Sequence, residues 1–419
     1  MHIVFTHSYQ PSPVSRLAYR RGMSPPALVP FDPRSLEALT PADLRARGSL
    51  KWTAVTTEIA AWVAESDLGT APAVTAAAVA AVTDGLTGYL PPAPRAAMAQ
   101  ACADWHHQRY GWDVPARWVH PVADVLEALH VAVEHFSRPG SAVVVPTPAY
   151  MPFLTVPRQW GRDVVQVPMT TDGGRPVLNL EAIDAALGAG GGLVTLVNPH
   201  NPTGRVHTRD ELAALGAVVE RHGARVFADE IHAPLVHTGH RHVPYASVSA
   251  ATAAHTITAT SASKAWNIPG LKCAQLIVSN EADAATFEPV SFLATHGAST
   301  PGVLANAAAY REGGPWLDGV LDYLAGNATA LADVLAEHAP AVRYTPPEGT
   351  YLAWLDLRAA LAGHDLPVGR WLAEHAGVEV VDGIRCGRVG RGFARLTLAM
   401  PRPLVVAAGR RIAAALAEA

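Results

Sequence analysis

The chain has 419 residues, 49% of them hydrophobic, and a formal net charge of −4 from 32 basic and 36 acidic side chains. That length is enough for a large buried core divided over two or three structural units. The near-neutral balance, with no block of like charge, points away from nucleic acid and from an anionic membrane surface as partners.

Cys102, Cys273 and Cys386 stand apart with no C-x-x-C spacing. Sparse, unpaired cysteines read as reduced thiols of a cytoplasmic protein. Residues 1–10 lack the basic-then-apolar pattern of a secretory signal, and the apolar runs at 71–82 and 404–419 are broken or too short to span a bilayer.

Residues 1–50 are rich in Pro and Arg, carry little periodicity and read as an N-terminal arm. Residues 72–86, Ala- and Val-rich after Pro72, suit a helix that the Gly88–Pro92 stretch breaks. Over 122–136 the spacing places Val125, Leu126, Leu129, Val133 and Phe136 on one helical face. Short continuous apolar runs follow at 142–146, 193–197, 226–228 and 276–278, with a weaker Thr-rich one at 255–259. Such runs read as strands buried on both faces, the pattern of a parallel sheet. Between two of them, Thr208 and Glu211 form a capping box ahead of Leu212, Leu215 and Val219 at helical spacing. Strand–helix alternation of this kind predicts an α/β layered domain. From about residue 315 the pattern becomes helix (316–338), strand (351–356), helix, strand (393–399) and final helix, which predicts a smaller α+β unit.

Ser261-Ala262-Ser263-Lys264, followed by Gly270-Leu271-Lys272, is the strongest local feature. Alone it is an ordinary loop lysine. Three other segments give it weight: Asn201-Pro202-Thr203-Gly204 after the 193–197 run, Asp229-Glu230-Ile231-His232 after the 226–228 run, and Phe393-Ala394-Arg395-Leu396 inside the last strand. The carboxyl edge of an open α/β sheet is where ligands bind.

The order N-P-x-G, D-E-I-H, S-x-S-K, G-L-K and R-L resembles the fold-type I pyridoxal-phosphate (PLP) enzymes, the aspartate aminotransferase superfamily. The wording from Asn198 to Val206, with Asp229–His232, Lys51-Trp52 and Trp62-Val63-Ala64, is similar to the MalY/PatB class of cystathionine β-lyases. The resemblance spans roughly residues 50–410. It implies a mostly parallel seven-stranded sheet between helices in a large PLP-binding domain (96–310). It implies a C-terminal small domain (311–419), and a segment (51–95) that serves the small domain and a homodimer contact.

What the resemblance implies at each position also fits the chemistry. PLP needs an amine for its Schiff base, which falls to Lys264, and the same amine is placed to move the substrate Cα proton. Asp229 pairs with the pyridine nitrogen, a charged hydrogen bond of roughly 1.5–3 kcal/mol. Asn201 falls where the family hydrogen-bonds the phenolic oxygen, and Tyr150 where it places an aromatic over the ring. His232 is left either as a cofactor contact or as a packing neighbour. The phosphate falls to the backbone of Ala123 and Asp124 at a helix start, to the hydroxyls of Ser261 and Ser263, and to Lys272. An aspartate there departs from the small residues usual in the family. Tyr89 corresponds to a tyrosine that reaches the partner subunit's phosphate, which makes the active site shared. Arg395 clamps the substrate carboxylate, whose geometry a guanidinium matches, and Trp62 packs at the substrate end.

The leading expectation is a C–S β-lyase that splits an S-substituted cysteine to thiol, pyruvate and ammonia. Aminotransfer needs the same residues and stands as the alternative. So does oxidative decarboxylation and deamination of a bulky cysteine conjugate, as in relatives from lincosamide-type antibiotic biosynthesis. Glu65-Ser66-Asp67, where β-lyase-like relatives show Asp-Met-Asp, raises that last possibility. A PLP-fold protein acting only by protein contact is the non-enzymatic rival, and the complete residue set argues against it. The 19 histidines are scattered without a zinc-ligand pattern, and no metal is expected. Gly190–Gly192 precede a strand, so they do not form a dinucleotide loop.

Overall fold

The computed structural model describes residues 31–364 and 366–418, so residues 1–30 of the expected arm lie outside the described residues. From residue 31 the chain makes short helices. Thr40 and Asp43 form a capping box at the start of Pro41–Ala46. Helix α1 (Pro72–Thr83) starts on a proline and α2 (Pro92–Tyr110) ends at Gly111 in the left-handed region (φ 71°), the asymmetry expected of helix ends.

The main sheet has seven strands: β1 (Val119–Val122), β2 (Ala142–Thr147), β3 (Val164–Pro168), β4 (Gly191–Val197), β5 (Arg225–Asp229), β6 (Thr256–Thr260) and β7 (Ala274–Val278). Their order is β1-β7-β6-β5-β4-β2-β3. Only β7 runs antiparallel to its neighbours, β1 and β6; every other pair is parallel. Helix α3 (Val125–Phe136) covers one face. On the other lies α4 (Arg209–Arg221), whose Thr208–Glu211 capping box is formed as expected.

Successive strand residues alternate between the two layers, as the pleat requires. Val143, Val145, Leu193, Val197 and Phe227 pack with Leu129, Val133 and Phe136 of α3. Val144, Val194, Leu196, Val226 and Ala228 pack with Leu212, Leu215 and Val219 of α4. Each such side chain contributes about 1.5–3 kcal/mol by leaving water, which is why the strands read as unbroken apolar runs.

Beyond β7, helices α5 (Thr300–Glu312) and α6 (Gly314–His338) lead to a second, antiparallel sheet. It consists of β8 (Arg343–Tyr344), β9 (Leu352–Asp356), β10 (Val381–Asp382) and β11 (Phe393–Thr397), ordered β8-β9-β11-β10. Helix α7 (Arg402–Ala417) packs on α6. The early segment Ile59–Ala60 pairs in parallel with Val378–Glu379. The Thr397 N–H then donates to the Ala61 carbonyl and the Asp67 N–H to the Ala399 carbonyl. Residues 59–67 therefore run along the second sheet. Among the described residues no helix is long and apolar enough to cross a membrane.

Candidate active site

The carboxyl ends of β4, β5 and β6 turn at one edge of the main sheet. Gly204 ends the Asn201–Gly204 turn at φ 71°, with its Cα packed against Pro347; a β-carbon there would overlap that proline, so only glycine closes this turn. Asp229 is the last residue of β5. Lys264 follows β6 by four residues. With the start of α3, residues 62–64 and the second sheet, these turns enclose a cleft of about 420 Å³.

Of the residues expected at a site, Trp62, Ala123, Asp124, Tyr150, Asn201 and Asp229 line this cleft. His232, Ser261, Ser263, Lys264, Lys272 and Arg395 line it as well. Tyr89 does not; it is 89% exposed on the surface, beside His296.

Lys264 donates from Nζ to the Ala64 carbonyl at 2.9 Å. Burial, with the Arg395 guanidinium nearby, pulls its pKa down to about 8. An amine so poised is neutral, and hence nucleophilic and basic, in a larger fraction than an exposed lysine. Asp229 shows the opposite shift: burial pushes its carboxyl up to about 7, although it accepts the Ile231 N–H at 3.1 Å. A buried carboxyl held this way is short of a positive partner.

Helix α3 opens on Asp124. Its carboxylate accepts the Glu127 N–H at 3.0 Å and receives the Lys272 ammonium at 3.0 Å. The aspartate that departs from the family's small residues is thus occupied as a helix cap and an ion pair. Ser261 donates its hydroxyl to the Cys273 carbonyl at 2.7 Å and accepts the Ser263 N–H at 3.0 Å, so it ties the lysine loop to β7.

Arg395, on β11, is 2% exposed. Its guanidinium donates to Asn201 Oδ1 at 3.0 Å and to the Trp62 carbonyl at 3.1 Å, while its buried Nε has no partner. Asn201 therefore contacts the arginine. The Trp62 indole donates to the Lys51 carbonyl at 3.0 Å. Tyr150 packs edge-on against Phe153 at 5.4 Å. His232 is buried and stands edge-on to Tyr351 at 6.1 Å. Burial holds its pKa down at about 3, so the ring is neutral, and its Nδ1 has no partner.

Several contributors are not evident from the motifs. The Ala64 carbonyl also accepts the Tyr351 hydroxyl at 3.0 Å. The Asn267 side-chain amide clamps the Ser66 backbone, accepting its N–H at 3.0 Å and donating to its carbonyl at 2.8 Å. The Lys51 ammonium, fully buried, pairs with Asp67 at 2.7 Å, and the Trp52 indole donates to the same carboxylate at 2.9 Å. Arg385, Met151 and Val381 also line the cleft. Backbone acceptors leave no sequence signal. Lys51-Trp52 carried one only through its resemblance.

This donor set fits a phosphorylated pyridine aldehyde. It offers a buried amine of lowered pKa, a buried carboxyl that lacks a cationic N–H, and the opening of an amphipathic helix beside a lysine. Fold and site together define a PLP-dependent enzyme of fold type I. The model of the aminotransferase class I and II family matches residues 63–412, and the chain belongs to that family. Within it, the chain falls in the MalY/PatB, cystathionine β-lyase-like class of PLP-dependent lyases. It is 38% identical over 413 residues to a putative cystathionine β-lyase of Mycobacterium tuberculosis (strain ATCC 25618 / H37Rv), covering 92% of this chain and 99% of that protein. It is 32% identical over 376 residues to the cystathionine β-lyase PatB of Bacillus subtilis (strain 168), covering 88% and 96%. The crystal structure of a putative PLP-dependent β-cystathionase from Corynebacterium diphtheriae superposes with a TM-score of 0.84 at 38% identity, covering 91% of this chain and 99% of that one.

Proposed function

We propose that the protein is a C–S β-lyase that converts an S-substituted cysteine and water to a thiol, pyruvate and ammonium. The observation that carries this reading is the placement of Lys264, Asp229 and Arg395 around one cleft, in a chain matched over nearly its whole length by cystathionine β-lyases.

Bound PLP supplies an electron sink for charge developing at the substrate Cα. Asp229 would accept the ring N–H and so keep that sink protonated. Arg395 takes the α-carboxylate with its two forked nitrogens, and Asn201 holds the guanidinium in place. Lys264 would hold the cofactor in the resting enzyme, and its Nζ would take the Cα proton of the substrate and return a proton to the leaving sulfur. His232 is neutral and acts as a wall against which Tyr351 packs. Ala123, Asp124, Ser263 and Lys272 hold the phosphate end, chiefly through N–H groups at the start of α3, where the helix dipole favours an anion. Tyr150, which lines the cleft, would pack on the ring.

We assign the enzyme a homodimeric state in which Tyr89 serves the partner's site. The support is a surface patch of exposed apolar residues, Tyr89 at 89%, Phe292 at 72% and Leu293 at 77%, gathered around His296. Incubation of holoenzyme with cystathionine and with S-alkyl cysteines tests the reaction. Pyruvate and thiol without any keto-acid acceptor support elimination. Keto acid that forms only with an acceptor supports transamination, and oxygen uptake with CO2 release supports oxidative decarboxylation of a cysteine conjugate.

A further inference from the structure

One buried hydroxyl beside the cleft has no part in the chemistry above. The Ala64 carbonyl accepts two hydrogen bonds, from Lys264 Nζ at 2.9 Å and from the Tyr351 hydroxyl at 3.0 Å. Ala64 lines the cleft, whereas Tyr351 does not and is buried. Burial pushes the phenol up, so the hydroxyl keeps its proton and can serve the carbonyl as a donor throughout the neutral range.

A strained residue places that tyrosine. Thr350 has φ 71°, in the left-handed region, where a β-branched side chain is an outlier. Its N–H donates to the Leu235 carbonyl at 2.9 Å, its carbonyl accepts from His237 Nε2 at 2.8 Å, and its hydroxyl accepts the Leu352 N–H at 3.0 Å. The Tyr351 carbonyl then accepts the Leu398 N–H at 2.7 Å. The loop beyond β5 and the segment after β11 thus grip residues 350–351 together. Backbone strain held this firmly points to a functional demand on the side chain it directs.

We propose that Tyr351 is a positioning residue for Lys264, acting through the Ala64 carbonyl to which both donate. The inference rests on Lys264 being the reactive lysine of the reading above. Sharing the oxygen has two consequences. Two donors divide the lone pairs of one carbonyl, so its hold on the Lys264 ammonium is weaker than that of a carbonyl with a single donor. When Nζ leaves for the cofactor, the oxygen keeps a partner, so the move strands no part-buried acceptor. Tyr351 therefore eases the passage of Lys264 from carbonyl to cofactor. The other charged or titratable groups that act on Lys264 are Asp229 of β5, His232 beyond it, Arg395 of β11 and Glu65 of the 59–67 strip. Among the described residues none of them donates to the Ala64 oxygen.

The scarcity of lysine makes the test direct. The three lysines of the chain are Lys51, Lys264 and Lys272. Full-length apoprotein labelled with 13C at the lysine Cε therefore gives three signals, and Lys264→Ala identifies the one concerned. Its titration midpoint is followed by NMR. In Tyr351→Phe the midpoint is expected to rise by about one unit, a tenfold change in the ratio of ammonium to amine. A midpoint equal to or below that of the wild type overturns the proposal. With 3-fluorotyrosine at position 351, a stronger donor of nearly the same shape, the midpoint is expected to fall, and this comparison decides the matter if Tyr351→Phe does not fold. An unaltered or raised midpoint there overturns the proposal. In a second measurement the same apoproteins take up PLP, followed by absorbance. Tyr351→Phe is expected to load several-fold more slowly than the wild type, and equal rates overturn the eased passage. Neither measurement uses an amino-acid substrate. Absence of pyruvate from wild-type holoenzyme given cystathionine counts against the lyase reading, and the titration then decides Tyr351 by itself.

Discussion

Nζ of Lys264 and the carbonyl of Ala64 are 2.9 Å apart, although 200 residues separate them in the chain. The chemistry-bearing lysine of the main sheet is thereby held by a strip that belongs to the second sheet. The same strip presents the Trp62 carbonyl to Arg395. Whatever positions residues 61–67 therefore positions the acceptors that hold both Lys264 and Arg395.

The Lys51–Asp67 pair is the anchor of that strip. Both side chains are buried, and Lys51 also lies 3.3 Å from the Ala399 carbonyl. Asp67→Ala strands a buried ammonium and is expected to cost about 3–5 kcal/mol, read as a lowered urea midpoint, and to raise KM. Replacing both partners, as in Lys51→Met with Asp67→Leu, is expected to recover much of the stability. An Asp67→Ala protein with the wild-type midpoint contradicts the anchor.

Asp229 gives a pH signature. Its folded-state pKa of about 7 lies above the ordinary carboxyl value of 3.8. Between those values the folded apoprotein keeps a proton that the unfolded chain has released. Stability therefore falls as pH rises from about 4 to about 7. Thermal midpoints of the apoprotein, compared with Asp229→Asn, are expected to show this fall in the wild type and lose it in the variant. Saturation with PLP, whose ring N–H partners the carboxylate, is expected to flatten it. A parallel pH course for wild type and Asp229→Asn contradicts the assignment.

Arg395→Lys retains charge but loses the fork that meets Asn201 and Trp62. We expect kcat/KM to fall about 100-fold or more, in line with roughly 3 kcal/mol for hydrogen bonds to a charged group. The loss is read in initial rates across substrate concentration. A fall below threefold means that another residue takes the carboxylate.

Tyr89 is so exposed that Tyr89→Ala is expected to leave the fold of one subunit unaltered. PLP is expected to dissociate several-fold faster, followed by loss of its absorbance on dialysis. Sedimentation shows in parallel whether the dimer weakens. A monomeric wild-type holoenzyme with full activity contradicts the shared site.

Much of this architecture is legible in the residues. The buried strands announce themselves because β4, β6 and β7 are buried along their whole length. Helix α3 announces itself through Val125, Leu129, Val133 and Phe136. Two edge strands escape this reading. β1 contains a histidine and a proline, and β3 exposes Val165 and Gln166, so neither forms an unbroken apolar run. The reversed direction of β7 has no signature in its composition. Nor does the pairing of Ile59–Ala60 with Val378–Glu379, two strands of two residues more than 300 positions apart. The site was legible where a side chain does the work, as at Lys264 and Arg395. It was not where a backbone carbonyl does, as at Ala64.

The most direct measurement of the central claim is product stoichiometry from cystathionine with purified holoenzyme and no keto acid added. The account predicts pyruvate and free thiol released one to one, and neither from Lys264→Ala. Keto acid that appears only when an amino acceptor is supplied, with no thiol released, contradicts it.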